Sequence, residues 1–315
     1  MARSHPLREG FGTISRRPAL ALAEIAWRWS FGAAAWVLVG LSLHQILLGV
    51  DVSDAEMAMA RHSSPFLIAD AIAHILYEVL PRAARVSLVL IPALALLWVV
   101  AASLGRSATL NALLAERGQL RDDHLGFGAL LGIHAVRAAV TLAAAVGLFG
   151  AIILSSAIAN PQGDEAVVAA LLGLVIAVLV GFFWSVINWF LSLAPIFIVR
   201  DGRGTFASIG DSLALYRNHR SGYVGAGIVF GLLRSLALLV AVIISLVPLG
   251  ATDSVRLVLS VALLVSLCYF AVVDSLYIAR MAAFVALADE RNEDPLPGAE
   301  PDASPQSAGD QVQVQ

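Results

Sequence analysis

Apolar residues fall in long runs separated by short polar stretches. A bilayer core of about 30 Å takes about 20 helical residues. The runs at 31–50, 86–104, 125–159, 166–199, 223–249 and 257–279 reach that scale. Hydrocarbon offers no water to backbone N–H and C=O groups, so each run is expected as a helix. The fold expected is all-α, a polytopic transmembrane helix bundle of six spans with amphipathic interfacial helices. Several runs exceed the minimum and should tilt or project. Pro92 and Pro195 are expected to kink the second and fourth spans.

The segments between the runs differ in character. Residues 1–30 form a basic segment with Arg3, Arg8, Arg16, Arg17 and Arg28. Within it, 18–30 reads as an amphipathic helix, with Leu20, Leu22, Ile25, Trp27 and Trp29 punctuated by Glu24 and Arg28. Such a helix lies in the interface with its indoles at headgroup level. Ala58-Met59-Ala60 offers a small-x-small site, but the preceding apolar run starts too late and runs too long for a cleaved signal peptide. An uncleaved anchor is expected. The six-span domain occupies 31–289, and the Pro-, Ala- and acid-rich tail 290–315 lacks apolar residues to bury and is expected to be disordered and cytoplasmic.

Residues 66–80 are apolar but carry Asp70, His74 and Glu78, four apart and so on one side of a helix. Three titratable groups on one stripe are costly in lipid. A surface helix on the outer side is therefore expected over 66–80, with a seventh span as the alternative.

Composition supports the membrane reading. The 315 residues are 59% hydrophobic and 14% charged, with mean hydropathy +0.83. Soluble domains carry about 25% charged residues. All twenty basic residues are Arg. Fourteen of them fall on one side of the expected six spans and four on the other, with Arg137 and Arg234 inside spans. The positive-inside rule then puts both termini in the cytoplasm, as for a bacterial inner-membrane protein. The single Cys268 excludes an intrachain disulfide and a Cys-based metal site. No basic stripe interleaves with aromatics, so nucleic acid is not expected as a partner.

A shift of 97 residues aligns Gly105-Arg106 with Gly202-Arg203, Gly128-Ala129 with Gly225-Ala226, and Arg137 with Arg234. Duplication of a two-span hairpin would produce this, as would similar composition. The second copy contains an amphipathic stretch with Phe206, Ile209, Leu213 and Tyr216 on one face and Ser208, Asp211 and Ser212 on the other. It suits either a helix flat on an anionic leaflet or a packed elbow between spans.

The order Pro195, Arg200-Asp201-Gly202-Arg203-Gly204, an amphipathic helix, then Gly222-Tyr223-Val224-Gly225 opening a span resembles a broad set of bacterial six-span membrane proteins with no assigned activity. It is distantly similar to the membrane domain attached to some glycerophosphodiester phosphodiesterases. The resemblance covers 190–250 and implies no catalytic residues, since no phosphodiesterase domain accompanies it.

Candidate chemistry is sparse. Counting depth along the spans places Arg234 roughly 7 Å and Asp274 roughly 5 Å inside the inner hydrocarbon boundary, with Arg137 near it. Asp274 is therefore expected to pair with Arg234, and with Arg137 as a second partner, either as a structural clamp or as a proton or cation site. Ser185, Asn188 and Ser192 share a face of the fourth span and suit interhelical hydrogen bonds. Asp70, His74 and Glu78 form the one metal- or enzyme-like cluster, with a solvated face as the simpler reading. No His-Glu-x-x-His or phosphate-binding loop occurs, and no cofactor is expected. Three functions remain: a non-enzymatic membrane component serving assembly, scaffolding or lipid association; a small permease using Asp274 with Arg234; and, fitting worst, an intramembrane enzyme. The bilayer is the expected partner, and a protein partner or homo-oligomer stays open.

Overall fold

A computed structural model describes residues 6–48, 65–118, 126–158, 165–218, 220–251 and 254–293. The helices are α1 (Pro6–Arg16), α2 (Pro18–Leu47), α3 (Pro65–Glu116), α4 (Gly126–Ile158), α5 (Glu165–Leu191), α6 (Ala194–Asp201), α7 (Thr205–Asn218), α8 (Arg220–Ala251) and α9 (Val255–Glu293). No strand occurs among the described residues. Among the described residues six stretches are long and apolar enough to cross a membrane: Pro18–Leu47, Val79–Ala115, Gly126–Ile158, Val167–Asp201, Arg220–Pro248 and Val255–Asp289. The protein is an all-α, multi-pass membrane bundle. The polar turn after α4 at 159–164 and the tail from 294 onward lie outside the described residues.

Two segments differ from the expected boundaries. The interfacial helix over 18–30 and the first span are one helix, α2, begun by Pro18 in its first turn. Nothing between Pro18 and Leu47 breaks a helix, and Pro suits a first turn because its missing N–H would be unpaired there anyway. Residues 66–80, expected as a separate surface helix, form the first part of the 52-residue α3, which continues through Pro81 and Pro92. At about 1.5 Å per residue α3 is about 78 Å long, far more than a bilayer core needs, so its ends project.

Pro195 does interrupt its span. The helix breaks at Ser192 and Leu193, and α6 restarts with Pro195 in its first turn. A proline at 195 cannot donate to the carbonyl four residues back, and its ring crowds that turn. The break turns α6 into the bundle, where Ala194, Ile196, Phe197 and Ile198 are buried. Gly202 then ends α6 at φ 64°, its N–H bonding the Ile198 carbonyl at 3.1 Å. Only glycine adopts that left-handed backbone without strain. Gly202→Ala is expected to cost about 1 kcal/mol, read as a small drop in the melting temperature of the detergent-solubilised protein.

Packing is concentrated at the Arg-rich end of the bundle. Leu110 and Leu114 of α3, Phe197 of α6, Leu215 of α7, and Tyr223 of α8 converge on the small-residue stretch of α9 around Ala279, Ala282 and Ala283. Those alanines let α1 lie close: a Cβ on Gly10 would run into the Ala279 carbonyl. Away from this end the large apolar side chains of α4, α5, α8 and α9 are mostly exposed, as lipid-facing helices require.

The amphipathic α7 sits opposite to a soluble helix. Ser208, Ser212 and Leu215 are fully buried, while Phe206 and Leu213 are exposed. Small residues permit close helix contact on the packed side. The stretch is a packed elbow: Ile209 and Tyr216 of its apolar face pack against the core, and Phe206 and Leu213 remain on its exposed side.

Candidate functional site

Two polar centres form where the helices converge. The first is built on Glu24, whose side chain is fully buried. Its Oε1 accepts from Arg28 Nε at 2.7 Å and from Arg106 at 3.1 Å. Its Oε2 accepts from Trp27 Nε1 at 2.9 Å and from Thr109 Oγ1 at 3.0 Å. Glu24, Trp27 and Arg28 share a face because helix geometry brings positions three and four apart together. Arg106 and Thr109 face them from α3, one turn apart by the same rule. Gly105 makes the approach feasible, since a Cβ there would strike the Trp27 indole.

Arg28 extends the network to α9 by bonding Asp274 Oδ1 at 2.7 Å. This corrects the expected pairing. Asp274 meets Arg28 of the first span, and no ion pair joins it to Arg234 or Arg137 among the described residues. One turn along α9, the ring of Tyr277 lies 4.4 Å from each of the Arg28 and Arg106 guanidinium carbons and 5.2 Å from that of Arg280. An aromatic face attracts cations by its quadrupole, so Tyr277 stabilises a cluster of like charges.

The second centre is an open cleft of about 410 Å³ between the α4–α5 and α8–α9 pairs. Arg137 enters from α4, Asn188 from α5, Arg234 from α8 and Arg280 from α9. Arg137 Nε donates to Asn188 Oδ1 at 2.9 Å. Ser185, Ser192 and Tyr277 add hydroxyls, and Trp184, Phe230, Val273 and Leu276 add apolar walls. No carboxylate lines the cleft, and no ion pair engages Arg137, Arg234 or Arg280 among the described residues. Arg234 and Trp184 are exposed, so the cleft opens on the flank of the bundle. Of the pairs aligned by the 97-residue shift, Arg137 and Arg234 do converge on one site. Gly105 and Gly202 do not correspond in role, one lying mid-helix and the other ending α6.

A chamber of about 130 Å³ lies on the far side of Arg137 and Tyr277, which line both spaces. Arg28, Arg106 and His134 also face it. His134 is 1% exposed, sits edge-on to Trp98 at 5.5 Å, and neither ring nitrogen has a hydrogen-bond partner among the described residues. The size and polar lining of this chamber suit ordered water.

The remaining sequence candidates do not join these centres. Asp70, His74 and Glu78 lie in the first turns of α3, and their side chains are outside the described residues. Among the described residues no group of three His, Cys, Asp or Glu could hold a metal ion. Glu24, Arg28, Arg106, Thr109, Tyr277 and Arg280 were not singled out by the sequence pattern as site residues. The four-residue spacing of Glu24 and Arg28 was the available signal. Comparison with protein-family models, with curated proteins and with solved structures finds no match to this chain.

Proposed function

We propose that this protein is a non-enzymatic, lipid-associated component of the bacterial inner membrane, with both termini cytoplasmic, that holds an amphiphile in the cleft between α4–α5 and α8–α9. The observation that carries this reading is the cleft itself: polar at its centre, apolar at its walls, and open on a flank whose neighbouring side chains face lipid. Soluble-substrate sites in transporter folds lie near mid-membrane between repeats. Here the polar residues gather toward the Arg-rich end, where headgroups are, and the described side chains offer no nucleophile, base and orienting group in hydrogen-bond sequence.

The permease reading keeps one supporting observation, that the cleft reaches Asn188 and Arg137. It loses its carrier, because Asp274 is held by Arg28 away from Arg234. Native mass spectrometry of the protein extracted from its own membranes in mild detergent separates the two. Retention of about one lipid per chain supports the lipid-associated role. A lipid-free chain that moves a solute across proteoliposomes would overturn it in favour of a permease, and a stoichiometric protein partner with no lipid would overturn it in favour of a scaffold.

A further inference from the structure

We propose that the cleft is a binding site for a phosphate ester of net negative charge, clamped by Arg137, Arg234 and Arg280. The inference rests on the lipid-associated reading for its source of phosphate, an anionic phospholipid headgroup, but its chemistry follows from charge balance. Around the two centres stand five guanidiniums, Arg28, Arg106, Arg137, Arg234 and Arg280, and two carboxylates, Glu24 and Asp274. Both carboxylates are engaged by Arg28 and Arg106. The excess of three positive charges is therefore borne by the cleft residues.

Three positive charges brought together in one cleft on the flank of the bundle repel one another and are unfavourable there unless an anion compensates them. That these residues are Arg carries no weight, because the chain contains no Lys. Their convergence does carry weight. They come from three different helices, and helix repulsion alone would favour separating them. Guanidiniums present several N–H donors in a plane that matches phosphate oxygens two at a time. With its Oδ1 bonded to Arg137, Asn188 keeps its amide N–H groups for the same ligand.

Position selects the headgroup layer. Arg280 lies six residues beyond Asp274 along α9, about 9 Å further toward the cytoplasm. With Asp274 roughly 5 Å inside the hydrocarbon boundary, Arg280 reaches the level of the lipid phosphates. Arg234, deeper and exposed, extends toward the same level along its own stem. Across the Arg137–Asn188 hydrogen bond an apolar groove of about 450 Å³, lined by Ile91, Leu94, Ala95 and Leu142, offers a bed for an acyl chain. A zwitterionic headgroup would bring its own cation into a site already in positive excess, so the site discriminates by net charge as well as by phosphate.

The test uses the full chain delipidated in detergent, with phosphatidylglycerol, phosphatidic acid, phosphatidylcholine and inorganic phosphate offered separately and bound species read by native mass spectrometry. The expected result is retention of the two anionic lipids at least about tenfold over phosphatidylcholine. Arg234→Gln should lower that retention about tenfold with an unchanged melting temperature, since Arg234 has no ion-pair partner to lose among the described residues. Arg137→Gln should do the same but also cost stability through its lost bond to Asn188. Equal retention of phosphatidylcholine and phosphatidylglycerol, or indifference to Arg234→Gln, would overturn the phosphate site while leaving the lipid-associated function standing. Arginine-dependent binding of inorganic phosphate with no lipid held would do the reverse, supporting the phosphate site and removing the lipid role.

Discussion

Glu24→Ala is expected to be the most damaging single substitution in this protein, at about 3–5 kcal/mol. The carboxylate is fully buried and receives four donors, two of them guanidiniums. Removing it leaves Arg106, only 4% exposed, as an uncompensated charge among Arg28 and Arg137. The cost of breaking such a group from one side exceeds the worth of the pair, because the stranded charge keeps its desolvation penalty. Arg16→Ala is the control. Its pair with Glu9 is also short, at 2.8 Å, but the Arg16 side chain is 54% exposed. Water and salt screen it, so the expected loss is under about 1 kcal/mol. The comparison is made by thermal unfolding in detergent, followed by size-exclusion fluorescence. A Glu24→Ala protein as stable as Arg16→Ala would mean that the buried network contributes no stability.

The six spans were legible from sequence for the reason that makes Glu24 invisible. Desolvation of the backbone forces about 20 consecutive apolar residues wherever a helix crosses lipid, and that is a local signal. The pairing of Glu24 with Arg106 and Thr109, or of Arg28 with Asp274, joins residues 82, 85 and 246 positions apart. Local periodicity shows that Glu24 and Arg28 share a face but not whether that face meets water or another polar face. Amphipathicity alone predicts a face turned to water, whereas here the polar face points inward, with the Glu24 side chain fully buried.

Asp274 shows a different gap. Depth counting put Asp274 and Arg234 at a similar level, but level leaves open the direction in which a side chain leaves its helix. Each residue turns about 100° from the last, so neighbours at one depth can face away from each other. The structure brings Arg137, Arg234 and Asn188 to one cleft and turns Asp274 toward α2. In α7 the apolar face is split in a way that periodicity does not show: Phe206 and Leu213 are exposed, while Ile209 and Tyr216 pack against the core beside the buried Ser208 and Ser212.

Glycine substitutions test this packing with opposite signs expected at two sites in long helices. At Gly105 an added methyl would meet the Trp27 indole, which also donates to Glu24. The ring has to move, and moving it strains or breaks that hydrogen bond. Overpacking a tight helix contact costs about 1–3 kcal/mol. The gain of up to about 1 kcal/mol from replacing glycine within a helix offsets only part of it. At Gly40 of α2 the same methyl meets nothing within 4 Å. Gly40→Ala should therefore keep the helical gain and raise the melting temperature or leave it unchanged. Gly105→Ala should lower it, and the loss should shrink when Trp27 is also replaced by a smaller residue, because the clash is then gone. Additive losses in that double variant would place the effect of Gly105 elsewhere than at the indole, and would remove the steric basis for the approach of α2 to α3.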